Sequence, residues 1–232
     1  PRASTVLVGE PSMMKVVTGH KGGIGFDVHF RGFEVHSSLI HTGVSAIMMA
    51  AKLIDWANQM NAENAVRKPG PLAADFVPPY TTLHVGQITG GTAHNITAKD
   101  CRFDIEFRTV PGDDAREWVR KLEAKIADLE TEMQAINAEA GIQKFPEFEV
   151  PGLKPETDGS AEALARRLTG DNGTNVVSYG TEAGQFQERG YSVVVCGPGD
   201  IAQAHQPNEF ISTDQFQKGE AFMSRLVDVL AQ

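Results

Sequence analysis

The strands that this 232-residue sequence predicts are of two kinds, and each kind occupies its own part of the chain. In the middle, apolar and polar residues alternate through residues 24–31 and 101–108, the pattern of strands with one face in water. Near the ends, residues 5–8 and 192–196 are short apolar runs, typical of strands buried on both faces. The sequence therefore predicts an α/β domain, built from both ends of the chain, that an inserted α+β domain interrupts.

Two amphipathic helices are predicted among the alternating strands. The first begins near Val44 with Thr42 as its N-cap, and the second follows Asp114, which forms a capping-box pattern with Glu117. The apolar positions that indicate them are Ile47, Met48, Ala51 and Ile54 in the first helix, and Trp118, Leu122, Ile126, Leu129 and Met133 in the second.

The order in the middle of the chain is strand, helix, strand, strand, helix, strand, with the last two strands at 101–108 and 145–150. This order predicts a ferredoxin-like (βαββαβ) domain, an antiparallel sheet with both helices on one face. We place it at residues 19–151, inserted into an incomplete α/β domain of residues 1–18 and 152–232. Such a sheet leaves an edge strand free to pair, so we expect the chain to form a homodimer through it.

The α/β pattern returns after Pro151. A helix with Ala161 and Leu168 leads to a short strand at 175–178, and a last helix begins at Ser212. The apolar residues expected on one side of this last helix are Phe216, Met223, Leu226 and Leu230.

Composition excludes some classes of partner. The net charge of −9 argues against a nucleic-acid surface, since phosphate binding needs clustered Lys and Arg. No apolar run approaches the roughly 18 residues of a membrane span, so we expect no membrane partner. Cys101 and Cys196 lie in strand-like runs and are expected to be buried free thiols, which favours a cytoplasmic setting.

Several polar residues stand at the ends of predicted elements, where α/β enzymes place their reactive groups. Each also has an ordinary structural interpretation: His205 as a surface loop histidine, Glu10 as a turn or cap acid, and Arg108 as half of a surface ion pair. The candidate site residues are Glu10, His36, Asn95, Arg108, Thr181, Glu182 and His205. The sequence contains no Gly-x-Ser-x-Gly nucleophile motif and no phosphate-binding glycine loop.

Four segments of this chain resemble, in the same order, the M20 family of dinuclear zinc amidohydrolases. They are residues 9–12 (GEPS), 32–38 (GFEVHSS), 90–95 (GGTAHN) and 197–209 (GPGDIAQAHQPNE). Three further segments are most similar to the members that deacetylate N-acetylornithine: residues 20–22 (HKG), 179–183 (YGTEA) and 203–209 (QAHQPNE). The resemblance extends over nearly the whole chain.

The resemblance implies a catalytic domain that carries an inserted lid or dimerisation domain. By position, Glu10 matches the carboxylate ligand of one zinc ion and His205 the histidine ligand of the other; cobalt is an alternative metal. His36 matches a lid histidine that reaches across the dimer to the substrate carbonyl. The implied reaction is amide hydrolysis, in which two metal ions lower the pKa of a bridging water toward ~7 and stabilise the oxyanion together with His36.

The same resemblance assigns the substrate contacts. Asn95 and Arg108 match lid residues that bind a small N-acyl amino acid, with Arg108 on its carboxylate. Thr181 lies in the substrate loop. We hypothesise that Glu182 meets the amine of an ornithine-like side chain.

The chain departs from the family pattern in one large respect. Family members carry a His-x-Asp segment, a bridging Asp and a Glu-Glu pair ahead of the strand that ends at Glu10, and none of these occurs here. We therefore expect a fragment of a longer zinc-dependent enzyme, inactive by itself. The favoured activity is deacetylation of N-acetylornithine to ornithine and acetate in arginine biosynthesis. The alternatives are succinyl-diaminopimelate desuccinylation, acetylcitrulline deacetylation, or a lid and dimerisation module without catalytic activity.

Overall fold

A computed structural model describes residues 3–231, which form two four-stranded sheets and five α-helices of a mixed α/β fold. In chain order these are β1 (Thr5–Pro11), β2 (Val17–His20), β3 (Gly22–Arg31), α1 (Ala46–Val66), β4 (Thr82–Gly90), β5 (Asp100–Thr109), α2 (Ala115–Gln134), β6 (Gly141–Val150), α3 (Ser160–Thr169), β7 (Asn175–Val177), α4 (Ala183–Glu188), β8 (Ser192–Gly197) and α5 (Thr213–Leu230). Two short 3-10 helices, Ser37–Thr42 and Ile201–Gln203, lie in loops.

The middle of the chain forms an antiparallel sheet with strand order β4-β5-β3-β6. The order of its elements is strand, helix, strand, strand, helix, strand, as the periodicity predicts. Alternate residues of β3 and β5 point to one face and pack against α1 and α2. The side chains of Phe30, Ile105 and Phe107 in this core are fully buried, and each stabilises the fold by about 1.5–3 kcal/mol through its burial.

The two ends of the chain form the second sheet, with strand order β1-β8-β2-β7. β1 pairs in parallel with β8, and β2 in parallel with β7, while β2 and β8 run antiparallel. The valines of β8 at 193–195 are buried, in agreement with a strand covered on both faces. This sheet therefore joins the start of the chain to its end.

Two connections run side by side between the sheets. His20, at the end of β2, and Leu153, after β6, exchange two backbone hydrogen bonds, each with an N···O distance of 3.1 Å. Lys21 follows directly and is also buried, and its Nζ donates to the carbonyl of Tyr80 at 2.9 Å. The domain boundary predicted after residue 18 falls inside β2, which ends at His20. The domain boundaries stay a prediction.

The start of α1 differs from the prediction. Ser45, and not Thr42, is the N-cap, and its Oγ accepts from the N–H of Met48 at 3.4 Å. Thr42 instead ends the 3-10 helix, where its hydroxyl donates to the carbonyl of Leu39. The predicted face was also wrong in part, because Ile47, Met48 and Ala51 are exposed and only Ile54 packs against the core. The buried apolar residues of α1 are Ala46, Met49, Ala50, Leu53 and Ala57.

The predicted face of α5 is wrong in the same way. Phe216, Met223 and Leu230 are more than half exposed, whereas Phe222 is buried and Leu226 packs beside it. Both helices carry apolar residues around more than one side, so spacing alone did not distinguish the face that meets a sheet. Ser212 is the N-cap of α5, as expected.

The prediction for α2 is confirmed more fully than those for α1 and α5. Asp114 is the N-cap and accepts from the N–H of Arg116 at 2.8 Å, and Trp118, Leu122 and Met133 are buried. β2 and α4 were not predicted, because each is too short to show a periodic pattern.

The predicted chemistry of the cysteines is confirmed, since Cys101 on β5 and Cys196 on β8 are both buried free thiols. Within residues 3–231, no helix has the length and hydropathy to cross a lipid bilayer.

Candidate functional site

The end of β1 places Glu10 directly against the end of β8. Pro11 pairs with Gly197 across the parallel strands. A Cβ atom on Gly197 would lie 2.2 Å from the carbonyl oxygen of Gly9 and 2.6 Å from that of Glu10, so only glycine permits this approach. The half-buried Glu10 therefore stands beside the origin of the 197–209 loop, at the carboxyl ends of two parallel strands.

His205 lies on that loop with an exposed side chain and a left-handed backbone, φ +57°. Its backbone N–H donates to Oε2 of Glu209 at 2.8 Å, and the carboxylate of Asp200 caps the 3-10 helix just before it. A left-handed non-glycine residue is strained and persists only where its surroundings hold it. The loop thus holds His205 in a defined turn.

Tyr179 connects Glu10 with the 179–182 loop. Its hydroxyl donates to the carbonyl of Pro11 at 2.6 Å. Burial raises the pKa of the Tyr179 phenol, and the negative charges of Glu10 and Asp200 raise it further. Both carboxylates therefore lie within electrostatic reach of one hydroxyl. Sequence reasoning did not single out Tyr179 as a site residue; its position directly after the short strand β7 was the available signal.

The donors near this edge suit zinc in kind but not in number. Glu10 and His205 offer a carboxylate and an imidazole, which zinc takes as ligands. A closed or catalytic zinc site needs at least three protein ligands. Within residues 3–231, His, Cys, Asp and Glu side chains form no group of three or more that could hold a metal ion.

Thr181 and Glu182 directly precede α4. Thr181 is buried, and its Oγ1 accepts from the N–H of Ala183 at 3.1 Å. Glu182 precedes the first residue of α4, and its exposed side chain makes no capping hydrogen bond. Its carboxylate is therefore exposed and available to a ligand.

His20 lies beneath this loop and is fully buried. Its Nδ1 is 2.9 Å from the carbonyl of Lys21, and because a carbonyl only accepts, Nδ1 carries the proton. Nε2 is then a buried lone pair for which the described residues provide no donor. Burial lowers the pKa of His20, opposed by the Lys21 carbonyl and by the charge of Glu182, so His20 is neutral and a neighbour of Glu182.

His36 and Asn95 are brought together by two loops of the other sheet. The N–H of Ser37 donates to the carbonyl of Asn95 at 2.8 Å, and both candidate residues are exposed. Nδ1 of His36 accepts from the N–H of Ser38 at 3.3 Å and lies 2.8 Å from Oγ of the same serine, whose hydroxyl can also donate to it. In the neutral ring the proton is then on Nε2, which makes that atom a hydrogen-bond donor.

Arg108 lies at the opposite end of this sheet from His36 and Asn95. Arg108 lies eight positions along β5 from Asp100, which corresponds to about 27 Å at the usual rise of a strand. Arg108 instead lies at the end of the sheet nearer the 179–182 loop, two strands from Val150. It pairs with Gly23, which pairs with Val150, and a Cβ on Gly180 would lie 3.2 Å from Cγ1 of Val150.

The candidate residues thus form two separate groups within one chain. Arg108 and the 179–182 loop lie near the junction of the two sheets, and Tyr179 joins that loop to Glu10. His36 and Asn95 lie far from them, so one chain does not assemble the whole predicted site.

Comparison with known proteins places these features in a family. Residues 18–134 match the M20 peptidase dimerisation domain. The acetylornithine deacetylase of Myxococcus xanthus is 33% identical over 97% of this chain and 57% of its own length. That of Proteus mirabilis (strain HI4320) is 29% identical over 98% of this chain and 56% of its own.

Among solved structures, a tripeptidase from Staphylococcus aureus subsp. aureus Mu50 has a TM-score of 0.73 at 20% identity, over 100% of this chain and 58% of its own. At this identity the likeness shows the fold alone. The chain spans somewhat more than half the length of the curated relatives that it matches. Since the dimerisation-domain match alone covers half of the sequence, the protein belongs to the M20 peptidase family.

Proposed function

We propose that this chain is the larger part of an M20 amidohydrolase that removes the acetyl group of N-acetylornithine, yielding ornithine and acetate in arginine biosynthesis. The observation that carries the proposal is the similarity to acetylornithine deacetylases along 97% of the chain. The close approach of β1 and β8 supports it, because it brings Glu10 beside the loop of His205.

Glu10 and His205 would each hold one of two zinc ions, with cobalt as an alternative. When bound, the metal supplies an activated water for attack on the amide carbonyl. Glu10 and His205 are too few to hold two metal ions, and residues 3–231 offer no larger cluster of donors, so we propose that the other ligands and the general base belong to the rest of a longer protein, as the length of the relatives suggests.

His36 would donate from Nε2 to the oxyanion of a substrate held by the partner subunit. Two observations support this role: the hydrogen bond from the Ser38 N–H leaves the ring proton on Nε2, and His36 lies at the opposite end of the sheet from Arg108, which is about 27 Å along β5 from Asp100. We propose that the middle domain, a ferredoxin-like lid, forms the homodimer that supplies His36 and Asn95 to the opposite site.

The substrate contacts of the same chain would be three. Arg108 binds the α-carboxylate, because a guanidinium fork matches a carboxylate. Glu182 binds the side-chain ammonium, and its exposed, uncapped carboxylate leaves it free to do so. Thr181 positions the loop between them through its hydrogen bond to Ala183.

The decisive experiment uses the protein expressed from the complete gene. We expect zinc or cobalt to be bound and kcat/KM on N-acetylornithine to exceed that on N-acetylcitrulline and on N-succinyl-diaminopimelate. The 232-residue chain by itself is the control and should show no hydrolysis. A preference for either of the other substrates would contradict the specificity.

A complete protein that holds no metal and hydrolyses none of the three substrates would instead support a lid and dimerisation module without catalytic activity. One observation favours this second function: within residues 3–231, His, Cys, Asp and Glu side chains form no group of three or more that could hold a metal ion. The cytoplasmic location stays a prediction.

A further inference from the structure

The face of the middle sheet that α1 and α2 leave uncovered carries an ordered arrangement around Arg108. Two rows of residues cross the strands there. Val150, Gly23 and Arg108 form one row by direct pairing, and Phe148, Gly25 and Glu106 form the next. Because residues two apart on a strand point to the same face, Glu106 and Arg108 lie side by side.

Glu106 holds one edge of the Arg108 guanidinium. Oε1 of Glu106 accepts from Nε at 3.3 Å, and Oε2 accepts from Nη2 at 2.8 Å. The guanidinium has five N–H donors, and this side-on pair uses two of them. Nη1 and the second hydrogen of Nη2 form the remaining fork, for which no described residue is an acceptor.

Two glycines and an aromatic ring complete the arrangement. The ring of Phe148 lies across β3, so that a Cβ on Gly25 would come within 2.6 Å of it. The guanidinium carbon of Arg108 is 5.8 Å from the centre of this ring. Gly23 leaves room beside the free fork, since a Cβ there would lie 3.3 Å from Nη1.

We propose that Glu106 is a positioning residue that sets the carboxylate specificity of the enzyme, by holding Arg108 so that its Nη1–Nη2 fork faces the substrate carboxylate. This proposal rests on the function proposed above for Arg108. A free arginine side chain loses much rotational freedom when it binds, whereas one held on one edge has already lost it. Glu106 therefore acts on substrate binding, and not on the chemical step.

The arrangement also explains why the ion pair does not exclude the substrate. A side-on carboxylate occupies the Nε–Nη2 edge, and an end-on carboxylate takes the Nη1–Nη2 edge, so one guanidinium binds both in its plane. The Arg108 side chain is 38% exposed, and that of Glu106 is 23% exposed, so the arginine keeps surface that a ligand can reach.

The test compares Nα-acetylornithine with its neutral carboxamide, Nα-acetylornithinamide, on the complete metal-loaded enzyme. For Glu106→Gln we expect KM for the acid to rise about tenfold with kcat unchanged, and the kinetics of the amide to stay within about twofold. The matched control is Glu147→Gln on β6, the same charge change at an exposed residue without an ion-pair partner among residues 3–231. It should leave both substrates unchanged.

The Arg108→Met variant distinguishes the proposed carboxylate-binding role of Arg108 from the proposed positioning role of Glu106. We expect it to lower kcat/KM for the acid about 100-fold and so to abolish the preference for acid over amide. If Arg108→Met does this and Glu106→Gln does not change KM, the role of Glu106 is overturned while the function of Arg108 stands. If Arg108→Met affects acid and amide equally, the carboxylate role of Arg108 fails, and the role of Glu106 with it.

If Glu106 had only a structural role, the Glu106→Gln variant would give a different result. If Glu106→Gln lowers the activity on acid and amide alike and lowers Tm, Glu106 only stabilises the sheet, and the proposal is overturned. A rise in KM confined to the acid, at unchanged Tm, supports it.

Discussion

Tyr179 donates a hydrogen bond from its hydroxyl to the carbonyl of Pro11 at 2.6 Å, across 168 positions of sequence. This bond fastens the loop that carries Thr181 and Glu182 to the strand end that carries Glu10. It is short, and it lies in a partly buried place where the charges of Glu10 and Asp200 raise the phenol pKa. The hydrogen bond thus links the position of the 179–182 loop to that of Glu10.

Tyr179→Phe removes only this hydroxyl. We expect the free energy of unfolding to fall by about 1 kcal/mol, because the Pro11 carbonyl loses its donor. Denaturant unfolding of the variant against the wild type measures this change. Tyr191→Phe is the control, since the Tyr191 ring packs on Phe186 and its hydroxyl has no hydrogen-bond partner among the described residues. Equal losses in both variants would show that the Tyr179 bond contributes nothing particular.

Gly197→Ala tests the close approach of β1 and β8. The added Cβ would collide with backbone atoms of Gly9 and Glu10, which cannot move as a side chain can. We expect a loss of about 2 kcal/mol in the free energy of unfolding and a weaker affinity for zinc in the complete protein. Gly9→Ala is the matched control in the neighbouring strand, because a Cβ there would meet no atom within 4 Å. If Gly197→Ala behaves like Gly9→Ala, the contact does not hold the site.

Lys21 makes stability depend on pH in a specific window. Burial lowers its pKa from 10.5 to about 8, because the charged form is disfavoured away from water. Below about pH 8 the lysine is protonated in both folded and unfolded states, and the folded state bears the full cost of the buried charge. Between about pH 8 and 10.5 the unfolded state binds more protons than the folded state, so this residue makes stability rise with pH.

The variant Lys21→Met should therefore gain in stability relative to the wild type at pH 7 and lose that advantage by pH 10.5. Unfolding midpoints of both proteins, measured at several pH values, check this. Lys99→Met, at an exposed lysine, should show no such change. A difference between Lys21→Met and the wild type that is constant with pH would contradict the assignment.

Glu182→Gln tests recognition of the substrate amine. In the complete enzyme we expect kcat/KM on N-acetylornithine to fall about tenfold and that on neutral N-acetylcitrulline to change little, because an ammonium loses its charged partner. Glu188→Gln, at the other end of the short α4, is the control for the change in charge. Equal losses on the two substrates would exclude Glu182 from contact with the amine.

The ion pair between Glu106 and Arg108 could have been predicted from the sequence. Strand alternation puts both residues on one face, so that an ion pair between them could have been expected from their spacing. The bond from Tyr179 to Pro11 could not, because its partners come from opposite ends of the chain. The same holds for the buried His20, which lies on a strand too short to be recognised.

Sequence periodicity by itself determined the two kinds of strand, the order of elements in the middle of the chain and the buried face of α2. It determined these because alternation and helical spacing follow directly from backbone geometry. Only the tertiary structure decided which face of α1 and α5 is buried, since both helices have apolar residues on several sides and the choice depends on what packs against them. It also decided that Arg108 lies near Gly180 while His36 lies far away, because strand pairing, and not distance in sequence, sets which side chains meet.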